Sequence, residues 1–180
     1  LSMKKKNQSN QLAKECIVTA LIQLTEQKPF SAITISELTD RAGVSRMTYY
    51  RNYTSKEDVF KKYMDEIVEK YRREAGKLKK GKRYGEYENI LQCFQYFVKY
   101  KNFIKCIIKI GMQNLLFDAL SSYLLDTYFK EKEPSVEQYY LLCAYEGSLL
   151  SAYMAWLENG EKESVEVLAD ILYRHRWQES

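Results

Sequence analysis

The sequence predicts an all-α protein, with a small N-terminal helix-turn-helix domain followed by a longer helical body. Apolar residues recur at spacings of three and four through most of the 180 residues, while the period-two alternation of strands is hard to find. Only two prolines (Pro29 and Pro134) and seven glycines punctuate the chain. Capping signals stand where helical runs begin, notably Thr34 with Glu37, Ser55 with Asp58, and Ser135 with Gln138. Hydrophobic residues at 46% and charged residues at 29% are ordinary globular proportions and exclude a disordered chain.

The first helix is expected over residues 9–27, where Leu12, Ala13, Cys16, Ile17, Ala20, Leu21 and Leu24 form one apolar stripe. Lys28-Pro29-Phe30 ends it, and Phe30 and Ile33 are expected in the small domain's core. The lysines at 4, 5 and 6 are either an arm toward DNA or a solvated terminus. Thr34 opens the next helix, whose buried side is Ile35, Leu38, Thr39 and Ala42. Gly43 supplies a residue able to take positive φ at that helix's end. Val44 fills the gap between the helices, and Ser45 caps the next. That helix, over 46–53, is crowded with groups suited to nucleic acid: Arg46, Thr48, Tyr49, Tyr50, Arg51 and Asn52. Two short helices around such a turn place the second in the major groove. Charge agrees: residues 1–62 hold eleven Lys/Arg against six Asp/Glu, whereas the rest of the chain is near neutral.

These residues resemble a known family. Gly43-Val44-Ser45-Arg46, then Thr48, Tyr50, Arg51 and Lys56-Glu57, is similar to the signature of the TetR (tetracycline-repressor-like) transcription regulators, with Thr34 and Glu37-Leu38 extending the match upstream. Three positions depart from the common pattern: Met47 replaces a small residue, Asn52 a frequent His, and Tyr53 a frequent Phe. The resemblance implies a DNA-binding domain over 8–54 and a regulatory, ligand-binding and dimerisation domain over 55–180, connected by the helix from Ser55. It also implies phosphate contacts from Thr34, Tyr50, Asn52 and Lys56. Ser45, Arg46, Thr48 and Tyr49 are the candidates for base edges, with core packing the open alternative for Tyr49.

The helix from Ser55 buries Val59, Phe60, Tyr63, Met64, Ile67, Val68 and Tyr71 and runs into a basic stretch ending near Lys79, Lys80 and Lys82. Further helices follow around Ile90–Val98, Phe103–Ile108 and Leu115–Tyr128. Phe94, Phe97, Phe103, Ile107, Leu116, Tyr145 and Met154 either line an apolar effector pocket or fill a core. The helix over 136–158 carries a seam of Tyr140, Cys143, Gly147, Leu150 and Met154, yet Leu141, Ala144, Tyr145, Leu149, Ala152 and Trp156 make its other side apolar too. Such a helix must be covered on both sides. One cover is the chain's own core; the other is a second copy, or else both lie within the monomer. The resemblance implies a homodimeric four-helix bundle, to which the final helix adds Leu168 and Leu172.

The partners expected are double-stranded DNA, a second copy of the chain, and a small apolar or aromatic effector of unassigned identity. No cofactor is expected. Cys16, Cys93, Cys106 and Cys143 are widely spaced, with His175 the single histidine, so zinc and a disulfide framework are not expected. Each Cys reads instead as a small buried hydrophobe. No apolar run approaches the roughly 20 residues of a membrane span, and a reducing cytoplasm is the expected setting. No nucleophile–base spacing or phosphate-cradling glycine loop marks an enzyme. Glu146 and Asp118 stand in apolar segments, where surface or hydrogen-bonded core roles are expected. The overall expectation is a ligand-responsive repressor on a palindromic operator; the alternative is a DNA-binding interaction module or activator that depends on a partner protein.

Overall fold

The structure is a computed structural model that describes residues 2–75 and 84–175, with side chains from residue 8 onward. Within the described residues the chain is helical: α1 (Ser2–Gln27), α2 (Ile35–Ala42), α3 (Arg46–Asn52), α4 (Lys56–Ala75), α5 (Tyr87–Phe97), α6 (Lys101–Lys109), α7 (Asn114–Tyr128), α8 (Val136–Glu158) and α9 (Val165–Arg174), with short 3₁₀ turns after α1 and α5. Helix α1 starts seven residues earlier than the apolar stripe alone predicts. The side chains of Lys4, Lys5 and Lys6, and the basic run around Lys79, Lys80 and Lys82, lie outside the described residues.

The chain divides into two compact units. One comprises the residues up to Glu66 together with Cys106–Met112; the other comprises Ile67–Lys105 and the residues from Gln113 onward. The expected boundary at residue 54 marks the start of α4, whereas packing divides the chain inside α4. The reason is the first three turns of that helix, whose Val59, Phe60 and Met64 are core residues. Phe60 stacks on Phe30 with ring centroids 5.9 Å apart.

In the first unit α1 packs on α2 and α3. Ile17, Leu21, Leu38, Tyr49, Val59 and Phe60 are fully buried, each gaining roughly 1.5–3 kcal/mol relative to an exposed position. The end of α6 is tied to α1 by polar contacts. Thr25 Oγ1 lies 3.1 Å from Cys106 Sγ, and Lys109 Nζ donates to the Thr25 carbonyl at 2.9 Å, meeting one of the carbonyls that a helix end leaves without an intrahelical partner.

In the second unit α5 packs on α9, α7 on α8, and α8 on α9. Aromatic rings fill much of its interior. Tyr71 lies 5.0 Å from both Tyr96 and Tyr123, and Phe94 stacks on Tyr153 at 5.5 Å. Helix α8 begins at the expected capping box, with the Gln138 amide donating to Ser135 Oγ at 3.2 Å and Ser135 N to Gln138 Oε1 at 2.9 Å. It ends through a left-handed pair, Gly160 at φ 79° and Glu161 at φ 58°. Positive φ is uncommon for a residue with a Cβ. At Glu161 the conformation is held by its N–H on the Trp156 carbonyl (3.0 Å) and by Lys101 and Lys105, which donate to its carboxylate at 2.6 and 2.7 Å.

Candidate nucleic-acid interface

The geometry begins with caps. Thr34 Oγ1 accepts from Glu37 N at 3.2 Å, and Glu37 Oε2 accepts from Thr34 N at 3.1 Å, so the sequence-predicted capping box is formed. Lys28 pairs with the same carboxylate. Its hydrogen bond, then those from Thr34, hold the Glu37 carboxyl down at about 2. At the far end of α2, Gly43 sits at φ 65° with its N–H on the Thr39 and Asp40 carbonyls. A Cβ there would meet nothing within 4 Å, so backbone conformation rather than space favours glycine. Ser45 then caps α3, accepting from Thr48 N at 3.1 Å.

The two short helices therefore stand in a fixed relation, and α3 presents one face outward. Ser45, Arg46, Met47, Tyr50 and Arg51 are exposed, and Thr48 is half-buried at the edge of that face. Ser45 Oγ and Thr48 Oγ1 are 3.0 Å apart, so each orients the other. Arg46 Nη2 donates to Ser36 Oγ at 2.6 Å, which holds the guanidinium on the outer surface of the motif.

Tyr49 points the other way, which corrects its assignment to base edges. It is fully buried, wedged edge-on against Tyr50 (5.3 Å) and tilted against Tyr53 (5.8 Å). Its hydroxyl has no hydrogen-bond partner among the described residues, and burial pushes it up to about 12. A helix seven residues long must anchor itself by some inward side chain, and Tyr49 is that anchor.

The four residues expected at phosphate separate similarly. Thr34 and Tyr50 are exposed. Asn52 instead directs its amide nitrogen to Asn10 Oδ1 on α1 at 3.1 Å and to the Thr48 carbonyl at 2.8 Å. Lys56 Nζ donates to the Phe30 and Ile33 carbonyls at 2.6 and 2.7 Å and lies 4.8 Å from the centre of the Phe30 ring. Both side chains therefore hold the unit together, each with two donated bonds engaged inside it. Lys28, Ser36 and Asn10 were not legible as partners, because their contacts join residues that no local spacing relates.

In the second unit, the seam assigned to the dimer is split. Tyr140 and Cys143 are exposed, Gly147 and Met154 are half-buried, and Leu150 turns into the monomer's own core. Helical phase explains this: Leu142, Glu146, Leu149, Leu150, Tyr153, Trp156 and Leu157 form the buried side. The outward side runs through Tyr140, Cys143, Ala144, Ser148, Ser151 and Ala155. Cys143 thus differs from the buried role expected for each cysteine. On α9, Leu168 and Leu172 are half-buried, while Val167 and Ile171 stand 47% and 44% exposed. The inward position of Ala169 sets that phase.

The residues offered for an effector are packed. Phe94, Phe103 and Leu116 are buried and Phe97 is half-buried. Tyr145 donates to the Tyr84 carbonyl at 3.0 Å. Ile107 is fully buried and groups with the first unit rather than with the other six. A cavity of about 450 Å³ lies elsewhere, lined by residues from Thr127 to Glu133 and by Gln138. Asp118 is exposed. Glu146 is buried, with one carboxylate oxygen unpartnered among the described residues. Burial raises its pKa, partly opposed by a hydrogen bond from Ser121.

Two family models match this sequence. Residues 17–63 match "Bacterial regulatory proteins, tetR family", and residues 86–175 match "Transcriptional regulator C-terminal region" of that family. The chain belongs to the TetR family. Its all-helical fold is shared with a solved structure described as "Dihydroxyacetone kinase operon activator DhaS", at a TM-score of 0.61 and 15% identity over 90% of this chain and 92% of that one. Among curated proteins none matches the sequence. This TetR-family chain is a transcription regulator of a DNA-binding family, and its first match spans the whole α2–turn–α3 motif. Among the described residues no helix is long and apolar enough to cross a membrane, and no group of His, Cys, Asp or Glu is placed to hold a metal ion.

Proposed function

We propose that this TetR-family regulator is a ligand-responsive repressor that binds a palindromic operator as a homodimer. The outward face of α3 carries the reading. Arg46 and Thr48, oriented by Ser36 and Ser45, would meet base edges, with Ser45 beside them. Arginine pairs bidentately with guanine, and threonine hydrogen-bonds or touches a thymine methyl. Thr34 and Tyr50 would meet phosphate, which fixes register without reading sequence. Lys56 and Asn52 would position α3 for those contacts.

One seven-residue helix reaches only a few base pairs, so a twofold pair on a palindrome supplies the rest of the specificity. The open sides of α8 and α9, with Tyr140, Cys143, Gly147, Val167 and Ile171, are the surface offered to the second copy. An apolar or aromatic effector among Phe94, Phe97, Phe103, Leu116, Tyr145 and Met154 would act through its different affinities for the two states of the dimer. Because these side chains are packed, such a ligand must open its own space. The cytoplasm is the setting in which all of this would operate.

A second reading is activation together with a partner protein. It draws on the first turns of α8, where Val136, Tyr139 and Tyr140 are 76%, 50% and 67% exposed. One experiment separates the two. The pure protein is passed over a sizing column and then titrated onto duplexes selected from a random pool. A dimer that binds one palindrome unaided and blocks transcription from it in a purified system supports the repressor. A chain that binds only when another protein is added removes it.

A further inference from the structure

Helix α3 carries an outward apolar side chain that the functional reading leaves unused. Met47 is 78% exposed, the highest value among the large hydrophobic side chains of the described residues. It stands where the family pattern has a small residue. A lone exposed apolar side chain is ordinary on a protein surface. The surroundings of this one are not neutral, however. It follows Arg46, which Ser36 holds on the outer face, and it sits one helical turn from Tyr50 and Arg51, both exposed. Thr48 and Ser45 hydroxyls are bonded to each other, and Tyr49 faces the core. Met47 is therefore the apolar centre of a cationic, hydrogen-bonding face.

That combination fits duplex DNA. Cations draw the face to the polyanion, and the major groove offers one apolar feature for a methionine to cover, the thymine C5-methyl group. The unbranched thioether, with three rotatable bonds, can settle against a methyl without demanding one geometry. We propose that Met47 is a specificity-determining residue that selects thymine by contact with its methyl group. The inference rests on α3 being the DNA-reading helix and goes beyond it by assigning one base and one atom.

The test uses the full chain and the duplex it prefers from a random pool. Each thymine of that duplex is replaced by deoxyuridine, symmetrically in both half-sites, which deletes the methyl and leaves every hydrogen-bonding group. Loss of a buried methyl is expected to weaken binding by roughly fivefold per half-site. The expected result is one thymine pair whose replacement weakens the wild type by roughly 20–30-fold in total. Met47→Ala should lose a similar factor on the thymine duplex and be indifferent to the same replacement, while Met47→Leu should retain sensitivity. Met47 is exposed, so neither variant disturbs the core. The inference is overturned if every deoxyuridine duplex binds within twofold of its parent, or if Met47→Ala weakens the thymine and uracil duplexes equally. A chain that selects no duplex at all overturns the DNA-reading assignment itself, a failure recognisable because it precedes any methyl comparison.

Discussion

Helix α3 is seven residues long and α8 is twenty-three, and they leave different things uncovered. In the first unit the helix ends are closed: by the side chains of Thr34 and Glu37 at the start of α2 and of Ser45 at α3, and by the backbone N–H of Gly43 at the far end of α2. Tyr49, Asn52 and Lys56 turn inward or bond internally, so what remains outside is Ser45, Arg46, Met47, Tyr50 and Arg51, with Thr48 at the edge. Helix α8 is capped equally well by Ser135 and Gln138. It buries one side and leaves a second side of Tyr140, Cys143, Ala144, Ser148 and Ser151 open. The first unit is a finished object with a polar working face. The second is buried on one side only, and in the proposed homodimer its open side would receive the second copy. Good capping therefore says where a helix starts and nothing about whether its sides are satisfied.

The sharpest way to break this comparison is to charge the open side of the body. Ile171→Glu combined with Tyr140→Glu should give a folded monomer and lower operator affinity by on the order of 100-fold or more, since each charge would be buried twice across a twofold. Sedimentation and anisotropy read this; a variant that stays dimeric moves the interface elsewhere. Next in size, Arg46→Ala should weaken operator binding by roughly 10- to 100-fold with relaxed base preference and unchanged helix content. Equal loss on all duplexes would make Arg46 a phosphate contact.

Lys56→Met probes the internal ties. It should lower stability by about 1–3 kcal/mol, because two part-buried carbonyls lose a charged donor, while the salt dependence of DNA binding changes little. A fall of about one in that slope would return Lys56 to the phosphate-contacting set. Tyr49→Phe is gentler. Removing an unpartnered buried hydroxyl should leave stability equal or raise it by up to about 1 kcal/mol, with operator affinity unaltered. A selective loss of affinity would bring Tyr49 back to the bases.

The smallest effects are in pH. Glu37 is held down at about 2, below its ordinary 4.5, so its contribution is complete above that ordinary value and disappears as pH falls toward 2. Glu37→Gln should flatten denaturation curves in that window. Glu146 is raised by burial, so the folded state is disfavoured as pH rises through and beyond the usual carboxylate range. Glu146→Gln should therefore stabilise the protein at neutral pH and lose that advantage in acid. Slopes of the same sign for both residues would contradict the opposite environments described for them.

The sequence by itself determined the all-helical class, the caps of α2, α3 and α8, the Gly43 turn and the family. The caps and the turn are written in residues within four positions of one another, where helical geometry ties spacing to contact. It also gave α8 two apolar sides, but could not say which was inner. Tertiary structure decided that from the phase in which Leu142, Leu149, Tyr153 and Trp156 meet the other helices. It likewise turned Tyr49 inward, gave Asn52 to Asn10, and gave Lys56 to the Phe30 and Ile33 carbonyls. These partners lie 42, 26 and 23 residues apart or fill a core built from several helices. A side chain with two plausible destinations goes to the one the fold brings within reach, and reach across helices is not encoded in local spacing.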